Sequence, residues 1–335
     1  MKVSDIGEFG LIDVLSQVVA TDRPQPQVTV GPGDDAAAWQ VEASTLLATT
    51  DTMVEGIHFS PESEWWHVGW KSLASNLSDI AAMGGSPRYA LASLSLPDDT
   101  DVDDMVRLCQ GIKHLGDIFG VMVVGGNVTR APLVVITLMV VGQALAEGVM
   151  TRSAAAPGDL LAVTGHLGSS AAGLRALTAG VEMPASTREH VVGAHLQPWP
   201  RIAEGQLLVR QGVRAAIDIS DGLGSDLGHL CRASNAGAEV SLDRLPIHPA
   251  VREAFPEEAV GLAVGGGEDY ELLFAAGPEV MDRVLAAAGG RQGEKDCPIT
   301  VIGRITAESG VSLVDAEGGP VQGLGAGWDH FRKGG

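Results

Sequence analysis

The chain alternates between short apolar runs and turns dense in glycine and acid. Val213, Ala215, Ile217 and Ile219 fall at every second position, the period of a strand with one packed face. The run enters Ser220-Asp221-Gly222, after which Leu223, Leu227, Leu230 and Cys231 follow helical spacing. Asp218, Ser220 and Asp221 thus gather where a strand ends and a helix begins. Helix N-termini favour anions, through free N–H groups and the dipole. A plainer reading is that Ser220 or Asp221 caps the helix.

The same pattern recurs along the chain. Val28 to Val30 predicts a strand leaving into Gly31-Pro32-Gly33-Asp34-Asp35. Leu46 to Thr50 predicts a strand ending in Thr49-Thr50-Asp51, with His58 close behind. Val121 to Val124 predicts a strand that exits into Gly125-Gly126-Asn127. Val264 to Asp269 predicts an acidic glycine turn before a strand over Tyr270 to Ala275. Gly, Pro and Asp also make ordinary turns. Adjacent carboxylates at a strand exit are, equally, hard oxygen donors suited to Mg²⁺.

Helices fill the intervals. Ser60 suits a cap, Pro61 a first position, and Glu62 and Glu64 a first turn, for a helix that stops at Gly84-Gly85. Trp66, Trp70, Leu73, Leu77 and Ile80 form its apolar side. Ser72, Ser75, Asn76 and Asp79 form a second side of short polar groups, which fits a buried polar face around a ligand. Further helices are expected over Phe9 to Leu15, from Asp98 to Asp104 onward, within Gly165 to Leu177 and over Ile202 to Gln211. Further strands are expected over Tyr89 to Leu96, Leu133 to Val141, Leu160 to Thr164 and Val301 to Gly303, and Val181 to Glu189 reads as a loop.

At 335 residues the chain is long enough for two domains, and a boundary near Gly148 divides it into 1–148 and 149–335. The net charge of −20 argues against a nucleic-acid surface, and a charge of this sign serves solubility equally well. A protein this acidic that binds phosphates needs divalent cations between them. Cys109, Cys231 and Cys297 are widely spaced, which predicts reduced thiols and a cytoplasmic protein. Met1 to Leu15 lacks the pattern of a signal peptide, and Leu133 to Val141 is too short to span a membrane. Neither the P-loop nor the dinucleotide fingerprint occurs.

In order along the chain stand Gly7-Glu8-Phe9, Gly31-Pro32-Gly33-Asp34-Asp35, Thr49-Thr50-Asp51, Gly56-Ile57-His58-Phe59 and Asn76-Leu77-Ser78-Asp79-Ile80-Ala81-Ala82-Met83-Gly84. They are followed by Gly125-Gly126-Asn127, Thr151-Arg152-Ser153, Asp218-Ile219-Ser220-Asp221-Gly222-Leu223, Gly266-Gly267-Glu268-Asp269-Tyr270-Glu271-Leu272 and Trp328-Asp329-His330-Phe331. This set closely resembles the thiamine-monophosphate kinase family, a branch of the larger family of aminoimidazole-ribonucleotide synthetase and selenophosphate synthetase. The resemblance spans nearly the whole chain. It implies an α+β fold of two domains like those of aminoimidazole-ribonucleotide synthetase, with N-terminal domains paired into a homodimer through a β-barrel-like interface. It also implies ATP-dependent phosphorylation of thiamine monophosphate to thiamine diphosphate. By resemblance, Asp35, Thr49, Thr50, Asp51, Asp79, Asn127, Asp218 and Asp221 hold several Mg²⁺ ions. Gly126, Arg152 and Ser220 contact ATP, and His58, Glu268 and Trp328 contact the thiamine phosphate. Asn127 departs from the Asp that relatives often carry, keeping an oxygen donor and losing a charge.

The acceptor is already an anionic phosphate oxygen, so direct transfer without a phosphoenzyme or a catalytic base is expected. A selenophosphate synthetase is expected to show a reactive cysteine early in the chain. Here the first is Cys109, inside a predicted helix. A third reading is a non-catalytic protein that binds ATP or metal.

Overall fold

A computed structural model describes residues 10, 12, 27–31, 33–289 and 297–321. The helix expected over Phe9 to Leu15 falls almost wholly outside these residues, as do the Gly7-Glu8-Phe9 and Trp328 to Phe331 motifs and Trp328 itself.

The first half holds β1 (Val28–Val30), β2 (Ala37–Val41), β3 (Ser44–Val54), α1 (Trp65–Ala82), β4 (Ser86–Leu96), α2 (Val102–Phe119), β5 (Met122–Arg130) and β6 (Val135–Gln143). Its strands form one sheet in the order β1-β2-β3-β6-β4-β5, antiparallel except for the β4–β5 pair. The second half holds β7 (Leu160–Thr164), α3 (Ser169–Thr178), α4 (Ala185–Leu196), α5 (Ile202–Gln211), β8 (Ala215–Asp218), α6 (Leu223–Ala233), β9 (Gly237–Ser241), α7 (Pro249–Ala254), α8 (Ala259–Gly265), β10 (Leu272–Ala276), α9 (Pro278–Gly289), β11 (Ile299–Thr306) and β12 (Gly310–Val314). These strands form a second sheet, β12-β9-β11-β7-β10-β8, in which only β12–β9 is parallel.

Helix α1 joins the two halves. Leu73, Leu77 and Ile80 are fully buried, and they share one apolar cluster with Leu138 of β6, Leu208 of α5 and Ala216 of β8. Helices α1 and α2 touch backbone to backbone. A Cβ on Gly69 would stand 1.9 Å from Leu108 O, and one on Gly111 would stand 2.0 Å from Trp66 O, so only glycine permits this crossing.

The structure corrects several expectations. Strand β3 does not stop at Thr50. Its pairing with β6 runs through Thr50↔Met139 and Asp51↔Leu138 to Val54↔Val135, so Asp51 lies inside a strand, where the ladder satisfies its backbone. Strand β5 likewise continues through Gly125, Gly126 and Asn127. The register shifts between Ala90↔Val123 and Leu91↔Gly125, a bulge that absorbs one residue without ending the pairing. Helix α1 starts at Trp65, because Ser60 to Ser63 close on themselves as a turn, with Ser63 N–H donating to Ser60 O at 3.0 Å. The segment read as a loop over Val181 to Glu189 becomes helical from Ala185, and Thr187, Val191 and His195 form its buried stripe. Strand β8 is buried at every position rather than on one face, as expected of a strand packed on both sides.

Candidate functional site

A cleft of about 760 Å³ opens between the two halves. It is lined by residues from the β1–β2 turn, β3, α1, the segment around Arg152, and the turns after β8 and α8. Eleven of the fourteen residues singled out from the sequence line it: Asp35, Thr49, Thr50, Asp51, His58, Asp79, Arg152, Asp218, Ser220, Asp221 and Glu268. Gly126 and Asn127 do not. They sit on the exposed edge strand β5, away from this cleft, and Trp328 lies outside the described residues.

The acids come from distant segments because each element ends, or faces, at the same place. Asp35 follows β1, Asp79 projects from the last turns of α1, and Asp218 closes β8. Each offers an oxygen, and the three oxygens lie within 4.8 Å of one another. Thr49 Oγ1 donates to Asp79 Oδ2 at 2.5 Å, and Ser78 Oγ donates to Asp218 Oδ2 at 2.6 Å. Thr50 lines the cleft as well, and its hydroxyl donates to Leu138 O of β6 at 2.9 Å.

Crowding raises the proton affinity of this cluster. Burial, then the charges of Asp51, Asp218 and Asp35, push Asp79 well above the ordinary carboxylate range. Burial, then Asp35, does the same to Asp218, against the hydrogen bond from Ser78. Asp34, beside them, is raised to about 6 by burial and then by Asp35. Such carboxylates need either protons or cations. The residues fit a divalent cation: the donors are hard oxygens, and Asp35 Oδ2 is buried without a hydrogen-bond partner among the described residues.

Arg152 faces this cluster. Its Nη2 donates to Asp35 Oδ1 at 2.5 Å and its backbone N–H donates to Asp34 Oδ2 at 3.1 Å, while its buried Nε has no hydrogen-bond partner among the described residues.

The turn after β8 differs from both sequence readings. The N-cap of α6 is Gly222 rather than Ser220 or Asp221. Asp226, one turn into the helix, folds back so that its Oδ2 accepts from the N–H groups of Ser220, Asp221 and Gly222 at 3.1, 3.1 and 3.0 Å. Its own carboxylate fills the nest. An acid four residues past a glycine at a helix start was the available sequence signal.

The opposite wall is the turn 266–271. Glu268 and Tyr270 hold φ of 66° and 51°, uncommon for side chains larger than glycine. The surroundings enforce this backbone. Glu268 N–H donates to Ser220 O at 2.8 Å and Tyr270 N–H donates to Ile219 O at 2.9 Å. Asp269 accepts from Gly168 N–H at 2.6 Å and Ser170 N–H at 3.1 Å. Tyr270 therefore belongs to the turn, and β10 begins only at Leu272. Glu268 Oε1 lies 2.6 Å from Lys71 Nζ of α1, and its Oε2 lies 3.5 Å from His195 Nδ1. Burial alone raises the Glu268 carboxyl, but Lys71 and then His195 outweigh it and leave it below its ordinary range. Neither Lys71 nor His195 stood out in the sequence. A lone lysine among the apolar and small positions of α1 was the overlooked signal.

His58 Nδ1 accepts from Val54 N–H at 3.0 Å, so the neutral ring carries its proton on Nε2.

The model of the N-terminal domain of AIR synthase related protein matches residues 33–144, and that of the C-terminal domain matches residues 156–316. The thiamine-monophosphate kinase of Escherichia coli strain K12 is 40% identical over 328 residues, covering 97% of this chain and 98% of that one. That of Aquifex aeolicus is 33% identical over 334 residues, covering 99% and 100%. A solved structure of AaThiL complexed with AMPPCP and TMP superposes with a TM-score of 0.84 at 32% identity, covering 98% of this chain and 99% of that one. The chain has the two-domain α+β fold of the AIR synthase related family, to which it belongs, and within that family it is a thiamine-monophosphate kinase.

Proposed function

We propose that this protein transfers the terminal phosphate of ATP directly to thiamine monophosphate, giving thiamine diphosphate and ADP, with several Mg²⁺ ions held in the cleft. This is the closing step of thiamine diphosphate synthesis. The observation that carries the reading is the meeting of Asp35, Asp79 and Asp218 from three distant segments, in a chain 40% identical to a named kinase of this reaction. AMPPCP, an ATP analogue, and TMP in the complex of the relative AaThiL support the same substrate pair.

Asp35, Thr49, Asp51, Asp79, Asp218 and Asp221 hold the cations, with Thr50 turned toward the backbone of β6 and Asn127 added from β5. Bound Mg²⁺ supplies neutralisation of the charge on both phosphate groups. Arg152 brings a guanidinium whose Nε has no partner among the described residues, suited to a phosphate oxygen. Ser220 meets ATP through its hydroxyl, because Asp226 already holds its N–H. His58 and Glu268 face the thiamine phosphate, with Trp328 added by resemblance. The bond between the γ-phosphorus and the bridging oxygen of ATP breaks as a phosphate oxygen of the acceptor attacks. That oxygen carries no proton to remove, so the chain supplies position and charge rather than a base.

Gly126 and Asn127 join a site only if a second copy supplies them. Strand β5 is an unpaired edge with Met122, Val123, Val124 and Val128 exposed, as suits a homodimer pairing the N-terminal domains. We divide the chain near Gly148, the first part binding ATP and Mg²⁺ and dimerising. Three free cysteines favour the cytoplasm. No helix among the described residues is long and apolar enough to cross a membrane.

Purified protein incubated with ATP, Mg²⁺ and thiamine monophosphate is expected to form thiamine diphosphate, followed by chromatography. The product disappears with EDTA and in Asp51→Ala. Bound ATP with no thiamine diphosphate overturns the reading.

A further inference from the structure

Lys71 is a charge in an otherwise closed setting. It lies on α1, 5% exposed, between Trp70 and Ser72, both buried. A lysine is almost never this buried without a partner. Its ion pair with Glu268 at 2.6 Å is the one partner of its Nζ among the described residues. The pair joins the first half of the chain to the strained turn of the second, and Glu268 keeps 26% of its side chain exposed toward the cleft. Oε1 is committed to Lys71, which leaves Oε2 with His195 at 3.5 Å as its one ion-pair partner among the described residues. Ser170 Oγ lies 3.0 Å from the same His195 Nδ1 and holds that ring in place. Two strained residues in one turn, Glu268 and Tyr270, held by backbone hydrogen bonds to Ser220 and Ile219, point to a backbone kept for the sake of the Glu268 side chain.

Resting on the kinase reading above, we propose that Lys71 is a positioning residue for the acceptor. It holds Glu268 as a fixed carboxylate whose free oxygen receives the cationic and N–H-bearing part of thiamine monophosphate, not its phosphate. Charge decides which part. A carboxylate repels a phosphate, whereas the thiazolium ring is a cation and the aminopyrimidine carries N–H donors. Without Lys71 the carboxylate is both less fixed and less firmly ionised, because burial favours its neutral form. ATP meets none of these groups in this assignment.

Three variants test this: Lys71→Met, Glu268→Gln and the double variant. Steady-state kinetics and melting temperature are read for each. Lys71→Met and Glu268→Gln each raise the KM for thiamine monophosphate about 10- to 100-fold, as for the loss of a charged hydrogen bond, with the KM for ATP unchanged and kcat altered less than KM. Lys71→Met lowers the melting temperature, since it takes the closest cation from a partly buried carboxylate, and the double variant recovers it. The double variant does not recover the KM, and its KM matches that of Glu268→Gln alone. If Lys71 has a structural role only, Lys71→Met loses stability while its KM for thiamine monophosphate stays at the wild-type value, and the proposal is overturned. The kinase reading fails separately, through a wild-type enzyme that forms no thiamine diphosphate. Should Lys71→Met not fold, the double variant and Glu268→Gln still decide, because equal wild-type KM values in both overturn the role of the pair.

Discussion

Ser78 Oγ and Asp218 Oδ2 stand 2.6 Å apart, across 140 positions of sequence. The bond fastens the last turns of α1 to the end of β8, so the acid of the second half is aimed by a helix of the first. It also opposes the burial that raises the proton affinity of Asp218. Ser78→Ala removes both effects. The expected outcome is a higher Mg²⁺ concentration for half-maximal activity, by a factor of about 10 to 100, the range for losing one bond to a charged group. Activity titrated with Mg²⁺ at fixed ATP measures it, and an unchanged titration argues against the role.

Asp226 closes the nest at the start of α6 with one oxygen shared by three N–H groups. Asp226→Ala leaves these buried donors unpaired and is expected to cost about 2–5 kcal/mol of stability, read from denaturant unfolding. Asp226→Asn keeps an acceptor oxygen and loses less. Equal losses in the two variants mean that packing, rather than the bonds, is what Asp226 provides.

Stability and metal binding share a pH dependence. Asp34, raised to about 6, and Asp79 and Asp218, also raised, hold their protons more tightly in the folded chain than in the unfolded one. Their contribution to the metal-free fold is therefore complete below about pH 4 and is lost as pH rises through the folded values, near 6 for Asp34. Mg²⁺ competes with those protons. The rise in melting temperature produced by Mg²⁺ over EDTA is expected to grow from pH 5 to pH 8. Thermal melts across that range check it, and a constant increment contradicts the cluster as the metal site.

Val124 and Val128 expose 52% and 69% of their surface on the edge strand β5. Val124→Asp with Val128→Asp places charge on the proposed seam without touching either core. The protein is expected to sediment as a folded monomer with greatly reduced kinase activity, since Gly126 and Asn127 then have no second copy to complete. Retained dimer mass together with retained activity rules out β5 as the interface.

Local pattern determined much of this protein. The strand–turn–helix at Asp218 to Leu223, the close of α1 at Gly84, and the α+β character of two halves follow from periodicity and from glycine placed where the chain must turn. Acids at those turns marked most of the cleft, because short-range chemistry is written residue by residue. Where strands ended was decided elsewhere. Thr49-Thr50-Asp51 and Gly125-Gly126-Asn127 look like exits, yet β6 and β4 supply ladder partners that carry both strands onward. The partners of charged groups were likewise hidden in sequence. Asp226 fills the nest at the start of α6, and Lys71 finds Glu268 only when α1 passes beneath the turn after α8. Electrostatic pairing depends on distance in space, and only the packing of the two halves sets that distance.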